Sequence, residues 1–336
     1  MITVLTIADI KQLITKVGLE KFFQTLILAL EKEYARWDHF QKSPRHAVHV
    51  PDGVIEVMPI CDDAFYTFKY VNGHPSNTAD NKLTVVALGL LADVKTGYPL
   101  MISEMTLLTA FRTAATSALA AKYLAKKDSK TIGIIGTGAQ SEFQVLAQKA
   151  LFDIQTVKYF DIDPKAMQKF HDNLSRHHIK LVPCDDAQSV VEGVDIITTA
   201  TATKKQTQIL SAESIQPGLH INSIGGDCPG KTELDKTILS HAKVVIEYLP
   251  QSQHEGEIQQ MGDEIKIYAE LWELVTGQKA GRESHDEITL FDSVGFAIED
   301  FAILKFVYAL AKEHGVGTPM ELIPTLANPK NLFGIL

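Results

Sequence analysis

The sequence predicts an α/β chain in which a Rossmann-type, doubly wound parallel sheet follows an α+β unit. Three observations carry that prediction. Short apolar runs alternate with helical stretches from about residue 127 onward, the pattern of a parallel sheet with right-handed crossovers. A glycine turn, Gly136-Thr137-Gly138, stands between one such run and a helix start. Before residue 127 the extended runs are longer and are joined by hairpin turns, which favours an antiparallel sheet.

In the first part, Phe22, Phe23, Leu26, Leu30 and Tyr34 recur at the spacing of one helical face and predict a helix over 19–37. Strands are expected at 54–58, 66–71 and 85–93. The turn Lys95-Thr96-Gly97 then returns the chain to a hairpin partner at 99–103. Residues 107–125 are Ala-rich without Gly or Pro and predict a long helix.

In the second part, 131–135 is a short apolar run of the kind buried on both faces of a parallel sheet. A helix over 140–150, a strand at 157–160, a helix over 166–176 and a strand at 179–182 follow. Further strands are expected at 194–199, 220–224, 244–247 and 288–291. A last helix over 296–312 is expected after the final strand, folding back onto the first unit.

The chain has 336 residues, enough for about two domains. Its 32 Lys and Arg against 41 Asp and Glu give a net charge of −9. No basic face of the kind nucleic acid requires is apparent. No run of 18 apolar residues or secretory leader pattern occurs, so neither a membrane span nor export is expected. Cys61, Cys184 and Cys228 are widely separated and lack metal-ligand spacing. They read as free thiols of a cytoplasmic protein, with no metal site.

The glycine turn is the sharpest local signal. Gly136 permits the tight turn, Gly138 lets the backbone approach a pyrophosphate, and the following helix offers unpaired N–H groups to phosphate. The third motif position is Ser141, whose polarity is expected to loosen helix–sheet packing slightly. Asp161 follows the next strand, 161 − 138 = 23 residues past the second glycine, where an acid that binds the ribose 2′-hydroxyl is expected. With Asp163 beside it, it would repel a 2′-phosphate, which favours NAD over NADP. The competing reading is an ordinary strand–helix turn followed by a capping Asp.

Two later strand ends are expected to complete a cofactor cleft, because ligands of such sheets bind at the carboxyl ends of the strands. Thr199 and Thr201 could meet ribose or phosphate. Gly225, Gly226 and Asp227 would lie at the mouth of another strand, where a flexible capped loop is the alternative.

Charged residues inside apolar strands are costly unless paired or used. Glu56, Lys69 and Arg112 are such residues, and Arg45 lies just before the strands. Three cations and one anion suit a zwitterionic ligand, with arginine offering bidentate geometry to a carboxylate. Taken singly, each reads more readily as a surface charge, because alternating strand positions often point to solvent.

These residues fall in recognisable blocks: Lys69-Tyr-Val-Asn-Gly-His-Pro75, Arg112-Thr-Ala-Ala-Thr-Ser117, Gly136-Thr-Gly-Ala-Gln-Ser-Glu-Phe143, Gly225-Gly-Asp-Cys-Pro-Gly-Lys-Thr-Glu233 and Phe291-Asp-Ser-Val-Gly-Phe296. With them the chain resembles the ornithine cyclodeaminase/μ-crystallin family, to about Leu322. The resemblance implies conversion of L-ornithine to L-proline and ammonia, with NAD recycled in each turnover. It implies a homodimer formed through a substrate-binding and dimerisation domain, here residues 1–115 completed by 300–336, with an NAD-binding domain at 116–299.

It also implies site residues. Arg45, Lys69 and Arg112 fall on the substrate-carboxylate contacts, Glu56 lies near an amine, and Val294 borders the substrate. Asp227 falls on the catalytic acid/base. Cofactor contacts fall on Thr84, Arg112, Gly136, Gly138, Ala139, Gln140, Asp161, Thr201, Ile221, Asn222, Ser223, Ile224, Lys231 and Ser293.

The implied chemistry suits these residue types. A base must free the δ-amine for attack and an acid must protonate the leaving ammonia, which a buried carboxylate can do in turn. Cys228 has no task in it and reads as structural. Lysine cyclodeamination, cyclic ketimine reduction, amino-acid dehydrogenation and a non-enzymatic NAD-dependent binding role stand as alternatives on the same scaffold. One methylene separates lysine from ornithine, worth only about 1–3 kcal/mol in a pocket.

Overall fold

A computed structural model describes the whole chain except residues 202–207, 227 and 265 and the side chain of residue 263. Its strands form two sheets.

In the first sheet the order is Thr318–Met320, Ile2–Leu5, Pro99–Glu104, Val85–Asp93, Phe65–Gly73, Gly53–Cys61 and Gln41–Lys42, with His46–Val50 also paired to Gly53–Cys61. Its pairings are antiparallel except that of Ile2–Leu5 with Pro99–Glu104. Helices Leu19–Tyr34, Thr106–Leu124 and Ala297–His314 pack together, and the last lies against the central strands. Edge-to-face contacts of Phe22 with Phe111 and Phe306 tie the three helices at one point. The helix expected to fold back onto the first unit therefore does so.

Several elements escaped the sequence reading. Helix Ile7–Val17 has a capping box between Thr6 and Asp9 and buries Ile10 and Leu13, a legible signal. Gly18, at φ +86°, separates it from the next helix. The short strands Ile2–Leu5 and Thr318–Met320 have no such local signature, because each is fixed by pairing with distant segments, Ile2–Leu5 with both Pro99–Glu104 and Thr318–Met320. The last helix follows strand Thr289–Asp292 as expected, and Thr318–Met320 lies beyond it.

The second sheet is parallel throughout, in the order Lys180–Pro183, Thr156–Phe160, Thr131–Ile135, Ile196–Thr199, His220–Ser223, Thr289–Asp292, Lys243–Ile246 and Ala269–Glu270. Strand order reverses between Thr131–Ile135 and Ile196–Thr199, the switch point at which such sheets open a crevice. The register pairs Ile135 with Thr199, Thr199 with Ser223 and Ser223 with Asp292. The next residues, Gly136, Ala200, Ile224 and Ser293, therefore stand in a row at one edge. Helix Thr106–Leu124 is unbroken and packs on strands of both sheets, so it brings that edge against the first sheet.

Candidate active site

On strand Gly53–Cys61 the side chains of Glu56, Met58 and Ile60 are buried, and Thr67, Lys69 and Val71 are buried on its neighbour. The pairings Glu56 with Val71 and Met58 with Lys69 put both charges on the covered face of the sheet. The surface-charge reading is thereby excluded for Glu56, Lys69 and Arg112, which are only 6%, 1% and 5% exposed. A cavity between the sheets is lined by Arg45, Glu56, Lys69, Arg112, Ser293 and Val294, with Gln140 and Ile224 closing it on the side of the glycine turn. Residues from seven separate stretches of the sequence thus converge.

Each cation is held. Lys69 Nζ donates to Asp300 Oδ1 at 2.9 Å, and Arg112 Nε lies 3.1 Å from that same oxygen. Arg112 Nη1 donates to Glu299 Oε2 at 2.5 Å. Arg45 Nη1 lies 3.2 Å from Glu56 Oε2, and its Nη2 donates to the carbonyls of Val294 and Gly295 at 2.5 and 2.7 Å. Burial, reinforced by the Arg112 charge, pulls Lys69 down to about 8 against the opposing pull of Asp300. Burial also opposes the charge on Arg112, but Asp300 and Glu299 outweigh it and raise its pKa. Gly295 abuts this guanidinium: at φ +77°, a Cβ there would stand 2.4 Å from Arg112 Nη1.

The glycine turn is clamped from two sides. Asp161 Oδ2 accepts from the Thr137 N–H at 2.6 Å, and Lys169 Nζ donates to the carbonyls of Thr137 and Gly138 at 2.8 and 3.0 Å. Gly136 has φ +93°, and a Cβ on it would meet the Ala200 carbonyl oxygen at 2.6 Å. Gly138 is exposed, and a Cβ on it would meet nothing among the described residues. Ser141 does not loosen the packing. It is buried, and its hydroxyl donates to the Gly138 carbonyl at 2.8 Å.

Those features fit a dinucleotide. The backbone at Gly138 is approachable, and the buried Gln140 Oε1 and Asn222 Nδ2 have no hydrogen-bond partner, so polar groups wait at the strand ends. Of the other expected cofactor residues, Ala139 lies beside Gly138 in a surface groove. Ile221 and Ser223 are buried in their strand, and Lys231 is buried near Glu233. Thr201 donates from its N–H to Glu233 Oε1 at 2.8 Å. Thr84 is half-buried next to the cavity-lining Val85, and its carbonyl accepts from the His74 N–H at 2.8 Å. Asp227, the expected acid/base, lies outside the described residues.

A set of buried carboxylates was not foreseen: Glu233, Glu247, Glu257, Asp292, Glu299 and Asp300. Burial raises Glu233, takes Glu257 to about 7 and lifts Asp292 well above the carboxylate range. Asp292 accepts from the N–H groups of Glu257 and Ile258, and Glu257 in turn accepts from Ser223 Oγ and the Glu233 and Leu234 N–H groups. The adjacent acids in the apolar stretch Ala297-Ile-Glu-Asp-Phe-Ala were a usable signal for the last pair.

The model of the ornithine cyclodeaminase/mu-crystallin family matches residues 8–315. The chain is 50% identical over 332 residues to an ornithine cyclodeaminase of Agrobacterium fabrum (strain C58), covering 99% of this chain and 94% of that one. Among solved structures it is similar to a lysine cyclodeaminase described for recognition of L-lysine, L-ornithine and L-2,4-diaminobutyric acid. The TM-score is 0.92 at 28% identity, covering 100% of this chain and 99% of that one. An archaeal alanine dehydrogenase dimer with bound NAD gives a TM-score of 0.88 at 34% identity, covering 96% and 99%.

Proposed function

Because this chain belongs to the ornithine cyclodeaminase/mu-crystallin family, we infer that it converts L-ornithine to L-proline and ammonia. The observation that carries this reading is the buried convergence of Arg45, Lys69, Arg112 and Glu56 on one cavity beside the glycine turn. Lys69, Arg112 and Arg45 receive the α-carboxylate region, fixing Cα at reacting distance. Glu56 takes the amine end of the ligand. Asp227 accepts the proton that the δ-ammonium must lose and later gives one to the departing α-nitrogen. Sealing the cavity between the sheets excludes water from these charges and strengthens each contact.

NAD is the cofactor, and when bound it supplies a hydride acceptor that is restored within each turnover. Gly136 and Gly138 admit its pyrophosphate, Asp161 selects for the unphosphorylated ribose, and Thr84, Ala139, Gln140, Thr201, Ile221, Asn222, Ser223, Ile224, Lys231 and Ser293 complete its site. The substrate-binding domain is residues 1–115 with 300–336, and the NAD-binding domain is 116–299.

A homodimer forms through the face of the first sheet opposite its helices. Val57, Tyr66, Tyr70, Val86 and Leu88 are exposed on its strands, an apolar patch of the kind that marks an interface. The protein works in the cytoplasm, in ornithine catabolism and proline formation. No helix among the described residues is long and apolar enough to cross a membrane.

Incubation with ornithine, and separately with lysine, plus catalytic NAD tests the reading. Proline and ammonia without net NADH are expected from ornithine. Pipecolate from lysine as the main product would reassign the substrate, net NADH would make the protein a dehydrogenase, and no turnover would leave a binding role.

A further inference from the structure

We propose that Glu247 is a positioning residue of the ornithine cavity, holding residues 293–295 in the conformation that aims Arg45 at the substrate. The proposal rests on the cyclodeaminase reading. Glu247 follows strand Lys243–Ile246, whose register pairs Ile246 with Asp292. Its carboxylate therefore emerges beside the turn that begins at Ser293, and it is fully buried there.

Both oxygens are used on that turn. Oε1 accepts from Ser293 Oγ at 2.6 Å and from the Gly295 N–H at 3.0 Å, and Oε2 accepts from the Val294 N–H at 3.0 Å. With its donors committed to Glu247, the turn presents the carbonyls of Val294 and Gly295 to Arg45 Nη2. Gln251 bridges the same two partners, donating to the Gly295 carbonyl at 2.7 Å and accepting from the Arg45 N–H at 3.2 Å. Glu247 thus grips the Ser293 hydroxyl and the N–H groups of Val294 and Gly295, while a substrate-facing cation grips the carbonyls of Val294 and Gly295.

A simpler residue would serve a merely structural wall. Burial, with the neighbouring charge of Glu299, raises Glu247 to about 7 despite its three donors. Its retention as an acid is therefore costly. The turn also has little freedom to compensate, because Gly295 needs its positive φ and abuts Arg112. Displacement of this turn would move the Arg45 guanidinium and reposition the wall formed by Ser293 and Val294.

The test is a double-mutant cycle on the full-length enzyme with Glu247→Gln and Arg45→Lys, reading KM for ornithine and kcat. Glutamine keeps the shape but turns an amide nitrogen toward a donor, so at least one of the three bonds is lost. Glu247→Gln is expected to raise KM about tenfold, the loss of one hydrogen bond to a charged group, with kcat changed less than about threefold. In the Arg45→Lys background the same substitution is expected to add little, because both act through one element. If Glu247→Gln does not fold, Ser293→Ala removes one donor and is expected to raise KM in the same direction and with the same non-additivity. A KM within about twofold of wild type, or effects that multiply independently, overturns the proposal. A wild type that forms no proline overturns the functional reading and this proposal with it.

Discussion

Lys69 Nζ and Asp300 Oδ1 lie 2.9 Å apart with both side chains sealed from solvent. The pair joins strand Phe65–Gly73 to helix Ala297–His314 across 231 positions of sequence. Arg112 Nε reaches the same oxygen, while Asp300 Oδ2 is buried without a partner among the described residues. One carboxylate therefore anchors two of the cations assigned to the substrate.

Asp300→Asn is expected to leave buried Lys69 without its anion and Arg112 with Glu299 alone. Breaking such a pair costs about 3–5 kcal/mol, and neutral Lys69 becomes the favoured form at neutral pH. Urea denaturation checks the stability loss, and ornithine kcat/KM is expected to fall in parallel. A loss below about 1 kcal/mol would show that the pair is not coupled to the fold as its burial implies.

Lys69, held at about 8, is expected to set an alkaline limit on substrate binding. Its charged form prevails below that value and is lost as pH rises through it. Affinity for a carboxylate ligand is therefore expected to fall as pH increases past about 8, by up to about tenfold per unit. L-Proline is the suitable probe, as its imino group stays protonated over this range, so its inhibition constant reports the protein. Lys69→Arg should flatten the curve, because arginine remains charged. A flat wild-type curve would remove the Lys69 charge from the carboxylate contact.

The two glycines of the Gly136-Thr137-Gly138 turn should separate by phenotype. Gly136→Ala places a Cβ against the Ala200 carbonyl at φ +93°, so thermal stability is expected to fall even without cofactor. Gly138→Ala meets nothing among the described residues. It should melt like wild type yet lose NAD affinity, measured by calorimetry, because the new methyl group occupies the space offered to the pyrophosphate. Wild-type affinity in Gly138→Ala would displace the cofactor from this turn.

Asp227→Asn is expected to abolish proline formation while NAD still binds. An asparagine cannot take up the δ-ammonium proton. Substantial turnover by this variant would move the acid/base role to another group.

Much of this organisation was legible beforehand because it is local. The apolar run 131–135 and the glycine turn need only neighbours in sequence to specify a strand, a bend and a helix start. Val85–Asp93 likewise matches its expected limits. Ser141 shows the limit of motif reading: its polarity suggested looser packing, but the nearby Gly138 carbonyl satisfies the hydroxyl.

The carboxylates illustrate what was less accessible. Glu299 and Asp300 interrupt an apolar helix, which marks them as unusual, but their partners Arg112 and Lys69 are some two hundred positions away. Glu247 carries no local mark at all, and its role emerges only where two parallel strands end side by side.

By itself, then, the sequence determined most of the element types, the glycine turn at Gly136 and Gly138 with Asp161 after the next strand, and the four charges of the first unit. Backbone sterics and hydrophobic periodicity act over a few residues, so they can be read along the chain. Only the tertiary structure decided that Glu56, Lys69 and Arg112 face inward, which anion balances each cation, and that residues 293–295 wall the cavity. Those outcomes depend on strand register and on the cost of burying charge, which are settled only when distant segments pack together.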